Sequence, residues 1–397
     1  MNTFNNSDTT VDYPGTPDGE TAVFGDTGCA STINLIYVPD TVIADLLFYP
    51  KAVRILTTYI VPLILTFGLL GNLSFLFTLA RVKSMRTITN AYLANLSIAD
   101  LCFIIFVGVR FIWTMAYSPY VFTNPFNQDA GCILMDGSVY LAYFASNGIV
   151  NLVSYERYLA ICHPLKYRYF NSKKRTAKMV SITWLLAFAI SASMAPDAIR
   201  AECIDVLWPD RSQYHNLPRV LYRCESISPI FKNYPIILQV VCFLITFCAN
   251  VVFYTLIIQA LMKRKDVSET MQQESQIQSK IQKVNSQVAR MLVLNATAFF
   301  LCLTPFQFYQ LQRVFENLSD GRLDLLTSDQ SSILFWISTI LNCINASINP
   351  VIYNIVNPRY RRALMKAFGC CRASCVSQDK QITSNTSSIL RDNRLRL

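Results

Sequence analysis

The sequence predicts an all-α protein: a bundle of seven transmembrane helices, followed by a short amphipathic helix on the inner membrane surface. Three observations predict it. Of 397 residues, 52% are hydrophobic and only 15% charged, against about 25% charged in soluble domains. The apolar residues gather into seven runs, 57–80, 90–114, 133–160, 179–195, 236–262, 291–311 and 333–355, and a helix needs roughly 20 such residues to cross hydrocarbon. Basic residues collect in alternate segments between the runs. This composition excludes a largely disordered chain, and 13 cysteines are too sparse for a small disulfide-held scaffold.

Residues 1–52 are expected to form an extracellular, acidic, disordered tail. Positions 1–50 carry seven acids (Asp8, Asp12, Asp18, Glu20, Asp26, Asp40 and Asp45) and neither Lys nor Arg. The first thirty residues have neither the basic start nor the apolar stretch of a cleavable leader, so the first span is expected to direct insertion itself. Residues 53–368 form the seven-span domain with its amphipathic helix, and 369–397 a cytoplasmic tail.

Orientation follows from charge. The segments 81–89, 156–178, 259–290 and 357–397 hold 25 of the 35 basic residues and 6 of the 25 acids. An excess of Lys and Arg marks the cytoplasmic side, which puts the amino terminus outside and the protein in the plasma membrane. Because these charges flank spans rather than form one patch, nucleic acid is not the expected partner.

Ile277, Ile281, Val284 and Val288 recur at helical spacing and extend the fifth and sixth helices into the third inner loop. After the last span, Tyr360, Leu364, Ala367 and Phe368 share a face, with Arg361, Arg362 and Lys366 elsewhere. That pattern suits a helix lying on the inner leaflet. Cys370, Cys371 and Cys375 follow as candidates for lipidation, or as plain thiols.

Polar side chains in lipid are costly, so function is sought among them. They occur as Gly71-Asn72, Leu96-Ser97-Ile98-Ala99-Asp100, Glu156-Arg157-Tyr158, Trp184, Tyr254, Pro305 and Asn349-Pro350-Val351-Ile352-Tyr353, with Cys132 standing 25 residues before Arg157. A mid-membrane carboxylate at Asp100 wants a cation, or hydrogen bonds from Asn72 and Asn349. Arg157 sits where its stem can pack while its head reaches water. Pro305 and Pro350 each remove a backbone hydrogen bond and bend their helices.

Over about residues 53–375 this order of motifs resembles the rhodopsin-like (class A) G-protein-coupled receptors. The resemblance implies a sodium ion at Asp100, with Ser146, Asn345 and Asn349 as oxygen ligands and Asn72 in the same polar network. It implies that Glu156 holds Arg157 at rest, and that Arg157 meets Tyr254, Tyr353 and the G protein when the sixth helix swings. Tyr158, Phe299, Pro305 and Pro350 complete the switch set, and Leu165 of the second inner loop contacts the G protein.

The sequence also departs from the family pattern. Asn285 stands where a carboxylate often locks Arg157, Cys302-Leu303-Thr304-Pro305 lacks the usual Trp, and Thr246 replaces the fifth-span Pro. Asn147 faces that position from the third span, and an Asn147–Thr246 hydrogen bond is expected to replace an apolar contact.

Four cysteines, Cys29, Cys132, Cys203 and Cys224, fall on the outer side, where three pairings exist. The resemblance favours Cys132–Cys224, leaving Cys29–Cys203 to tether the tail. Asn5 and Asn317 head outward glycosylation sequons. The run Thr383-Ser384-Asn385-Thr386-Ser387-Ser388 offers hydroxyls to receptor kinases and, once phosphorylated, to arrestin.

What is missing narrows the ligand. No Lys lies in 333–355, which disfavours retinal, and Val139 occupies the place of the Asp that amine receptors carry. Arg110 and Arg313 are suited to a carboxylate or an amide carbonyl. Around them Trp113, Tyr140, Tyr143, Phe144, Gln307, Tyr309 and Gln310 line the expected cavity, with Val139 at its edge. The long second outer loop, the acidic tail and the entry Met85 to Leu93 look most similar to neuropeptide receptors of the thyrotropin-releasing-hormone and neuromedin type. The expected function is therefore to pass binding of an extracellular peptide agonist to a heterotrimeric G protein. A constitutively active receptor for a small apolar ligand and a seven-span transporter are the alternatives. An enzyme is not expected: His163 and His215 are the only histidines and form no zinc motif.

Overall fold

A computed structural model describes residues 34–37, 48–118, 120–121, 123–124, 128–170, 172–197, 199–208, 211–270, 276–319 and 326–369. The expectations for Asn5, Cys29, Cys370, Cys371, Cys375 and the hydroxyl run 383–388 fall outside these residues, as does the side chain of Asn285.

Seven long helices form the bundle: α1 (Lys51–Arg81), α2 (Ile88–Tyr117), α3 (Asp129–Cys162), α4 (Lys173–Ser193), α5 (Pro229–Thr270), α6 (Gln276–Leu318) and α7 (Ser328–Val356). A short helix, Pro164–Phe170, follows α3, and α8 (Pro358–Ala367) follows α7. The helices start where side chains replace missing backbone partners. Thr87, Ser172 and Asn357 accept backbone N–H groups at the starts of α2, α4 and α8, and Thr327 with Gln330 forms a reciprocal cap on α7. In α1 a wider π turn, Leu56–Ile60, precedes Pro62, whose ring has no N–H to give the preceding turn.

α3 occupies the centre, packed on α2, α4 and α5 and touching α6, while α7 lies between α1 and α6 and also meets α2. Six of the seven helices are apolar enough to be recognised as spans by composition alone; α3 is the exception. The reason is its position. Ser146, Asn147, Ser154 and Glu156 are buried on it, facing helices rather than lipid. Close approach needs small residues: a Cβ added at Gly68 of α1 would collide with Ser347 and Ile104, and one at Gly148 of α3 would press on Thr183 of α4.

One end of the bundle carries the basic segments; the other carries a disulfide and a small sheet. There β1 (Asn34–Tyr37) runs parallel to β2 (Arg200–Leu207), which is antiparallel to β3 (Val220–Glu225). The Cys132–Cys224 disulfide ties β3 to the first turn of α3, and Asp129 accepts the Ala201 N–H at 2.7 Å. Val121, Val206, Tyr214 and Leu221 form a separate small core beneath Phe48 and Trp208. Asp205 and Arg219 brace its edge at 2.8 Å, and that hydrogen bond pushes the guanidinium further above its ordinary range.

Within the segment 1–52, the described residues Asn34–Tyr37 pair with the open edge of β2, whose backbone groups they satisfy. Cys203 is disulfide-bonded, one residue before the start of the β1 pairing at Ile204; Cys29, its expected partner, lies outside the described residues.

Candidate functional site

The site is built from side chains that a membrane would reject were they not turned inward. At mid-bundle, Asp100 of α2 is 2% exposed, and its Oδ2 accepts the amide of Asn349 from α7 at 2.6 Å. Asn72 does not share in this bond. Its Nδ2 donates to the Gly68 and Ala346 carbonyls at 3.0 and 2.9 Å, fastening α1 to α7. Asn345 is buried nearby in sequence on α7, and the buried hydroxyls of Ser97 and Ser146 have no hydrogen-bond partner. A carboxylate accompanied by orphaned hydroxyl oxygens is the donor chemistry a small hard cation takes.

Between this layer and the basic end runs a second polar chain, from α3 to α5. The Asn151 amide donates to Thr246 Oγ1 at 3.0 Å, and Asn250 Nδ2 donates to Asn151 Oδ1 at 2.8 Å. Ser154 Oγ lies 2.5 Å from Asn250 Oδ1 and 2.9 Å from the Tyr254 hydroxyl, which donates to the Leu292 carbonyl of α6 at 3.3 Å. The expected Asn147–Thr246 bond is corrected here. Asn147 donates to the Tyr143 carbonyl of its own helix at 2.9 Å, and Asn151, one turn further on, takes Thr246 instead. Asn151, Ser154 and Asn250 escaped the motif reading, although their spacing with Asn147, Thr246 and Tyr254 repeats about one helical turn.

At the basic end Glu156 Oε2 lies 2.8 Å from Arg157 Nε, and both side chains are nearly buried. Its Oε1 accepts Thr89 Oγ1 at 3.2 Å and the Tyr167 hydroxyl at 2.7 Å. Tyr167 comes from the short helix after α3 and carries no sequence signal for this role. On the same short helix Leu165 is 81% exposed. Tyr158 turns to α5, stacking on Phe253 and meeting His163 at 2.9 Å. Tyr353 is fully buried beside Phe75 and Tyr360, and Tyr360 hydrogen-bonds Asn90, securing α8 to α2.

In α6, Phe299 packs edge-on to Phe300, which meets Phe243 and Phe247 of α5. Cys302 and Leu303 are buried beside Pro305, which lies inside α6, and Pro350 lies inside α7.

Toward the disulfide end, the expected cavity residues divide. Tyr143 and Gln307 meet at 3.1 Å, Gln310 donates to Gln239 at 3.0 Å, and Tyr143 reaches the Gln239 carbonyl at 3.4 Å. Tyr140 is half-buried on the same helix, and Phe144 packs edge-on to Tyr143. Gln239, buried on α5, was missed. Trp113 is 52% exposed, Tyr309 packs on Phe335 of α7, and Val139 joins the α1–α2–α7 core, so these three stand apart from the amide cluster. Arg110 is ion-paired with Asp136 at 2.7 Å, whereas Arg313 has no ion pair among the described residues.

With this geometry in view, the family model of the 7 transmembrane receptor (rhodopsin family) matches residues 71–353. The chain belongs to that family: it is a rhodopsin-like G-protein-coupled receptor, a multi-pass membrane protein and not an enzyme. Growth hormone secretagogue receptor type 1 of Mustela putorius furo is 28% identical over 310 residues, covering 76% of this chain and 77% of the relative. The thyrotropin-releasing hormone receptor of Homo sapiens is 26% identical over 351 residues, 81% of each.

Proposed function

We propose that this receptor binds a peptide, of the neuropeptide class its relatives' names indicate, at the disulfide end and signals to a heterotrimeric G protein at the basic end. The observation that carries the reading is the closed, nearly buried Glu156–Arg157 pair at the basic end, with the Gln239–Gln307–Gln310 amides gathered at the opposite end of the same bundle. The basic end is cytoplasmic and the amino terminus extracellular, in keeping with the charge asymmetry. The segment 1–52 is then an outer tail carrying a glycan at Asn5, 53–368 the signalling domain, and 369–397 the inner tail.

Activation releases Arg157 from Glu156 toward Tyr254 and Tyr353 as α6 moves about Pro305 and α7 about Pro350. Leu165 enters the G protein from its exposed position. Asp100, Ser146, Asn345 and Asn349 would hold a sodium ion through their oxygens, and its charge would offset the buried Asp100 carboxylate in the resting arrangement. Asn317, exposed at the end of α6 with its amide 2.8 Å from Asn233, is the second glycan site. Lipid on Cys370, Cys371 and Cys375 anchors the end of α8, and receptor kinases and arrestin act on 383–388. Cys29–Cys203 is the second disulfide, supported by the strand pairing that begins one residue after Cys203.

The amide cluster suits a peptide's backbone or terminal carboxamide, and Arg313 suits a carbonyl or carboxylate. The test is a screen of matched carboxamide and free-acid peptides on cells carrying a promiscuous G protein, read by calcium. An agonist that loses potency on Arg313→Ala more than on Arg110→Ala, at equal surface expression, is the expected result. Absence of peptide-stimulated nucleotide exchange would overturn the reading.

A further inference from the structure

We propose that Asn151 and Asn250 are positioning residues for Tyr254, forming with Thr246 and Ser154 a side-chain ladder that keeps α6 docked on α3 and α5. The inference deepens the receptor reading and rests on it. Tyr254 matters there as the residue that Arg157 meets when α6 swings away.

The ladder has four rungs. Asn151 gives its amide hydrogen to Thr246 Oγ1 and takes one from Asn250 at 2.8 Å. Asn250 places its other hydrogen on the Thr246 carbonyl at 2.8 Å, so its amide plane is fixed from two directions. Its Oδ1 then faces Ser154 Oγ at 2.5 Å. Ser154 shares its single proton between Asn250 Oδ1 and the Tyr254 oxygen at 2.9 Å, and Tyr254 gives its own proton to the Leu292 carbonyl. A chain that starts between α3 and α5 therefore ends on the backbone of α6. Thr246, Asn250 and Ser154 are buried, so no solvent competes for these groups. Tyr254 is the only hydroxyl in the ladder that reaches a third helix.

Tyr254 also borders a small cavity of about 10 Å³, lined as well by Leu96, Val153, Leu292 and Asn295. Asn295 Oδ1 has no hydrogen-bond partner and is buried. The hydroxyl thus has a second polar group lining the same cavity once it leaves Leu292. A side chain with one held position and one vacant neighbour is the two-position element a switch requires. Asn151 and Asn250 set which position is held. Neither touches Arg157 or Glu156 in any hydrogen bond described, so their effect must travel through Tyr254.

The test uses the full chain in native membranes with purified heterotrimeric G protein, reading basal nucleotide exchange per surface receptor. Interhelical hydrogen bonds in membranes average about 0.6 kcal/mol, so Asn250→Leu is expected to raise basal exchange about threefold and Asn151→Leu to raise it less. On a Tyr254→Phe background the Asn250→Leu change should vanish, because there is no hydroxyl left to position. An equal change on both backgrounds, or no change on either, overturns the proposal. Spin labels at the basic ends of α3 and α6 give a second readout that needs no G protein. Asn250→Leu should populate a longer distance and the double variant should not. If exchange is absent in every variant, the receptor reading fails, and the label distances alone decide the ladder. Should Asn250→Leu not reach the surface, Asn151→Leu and Thr246→Val carry the same comparison from its far end.

Discussion

α3 and α4 lie side by side and are built on opposite rules. α4 buries only Thr176, Ala187 and Ser191 of its 21 residues and presents Leu185, Leu186 and Phe188 outward. α3 buries thirteen of 34, several of them polar, and contacts four other helices. In water the apolar helix would be the inner one. In lipid the ranking inverts, because hydrocarbon rewards an apolar exterior and only protein can satisfy an amide or a carboxylate. Hydropathy therefore measures contact with lipid, and its failure on α3 marks the helix that organises the others.

Substitutions can break or sharpen this contrast. The largest effect is expected at Glu156. Glu156→Ala removes the ion-pair partner of Arg157 and one hydrogen bond of Tyr167, and removing one member of a buried ion pair costs about 3–5 kcal/mol. Thermal unfolding of the solubilised receptor should fall sharply, and basal nucleotide exchange should rise in what survives. Next comes the seam itself. Gly148→Val puts a branched side chain against Thr183, and overpacking of this kind costs about 1–3 kcal/mol; a melting shift smaller than that of a surface variant would refute the close α3–α4 approach. A weaker effect is expected for Ser191→Ala, which removes the 2.6 Å bond to the Gly137 carbonyl of α3 and about 0.6 kcal/mol, readable as a small melting shift. Leu185→Ala, at 68% exposed, should change stability by no more than about 0.5 kcal/mol. A large loss there would mean that α4 has a protein partner on its outer face.

The same contrast explains what the sequence discloses. Apolar runs are continuous, so spans such as 57–80 and 333–355 can be read directly, and each falls within an observed helix. Motifs tied to single positions, such as Asp100 with Asn349 or Glu156 with Arg157, are equally legible. Pairings that depend on the rotation of one helix against another are not. Asn147 and Asn151 are both amides near Thr246, and one helical turn decides which of them reaches it. Tyr167 is hidden for a different reason: its contact with Glu156 requires the chain to fold back after His163. The strand Asn34–Tyr37 is hidden because its only partner is an edge created more than 160 residues later.

That strand has a kinetic consequence. Two backbone ladders stand at the disulfide end of the bundle, with β3 fixed by Cys132–Cys224. For a peptide bound at that end, as proposed, melting of β1 from β2 would be the local opening that precedes departure. Residence time, rather than speed of capture, would then be the quantity along which competing molecules are sorted.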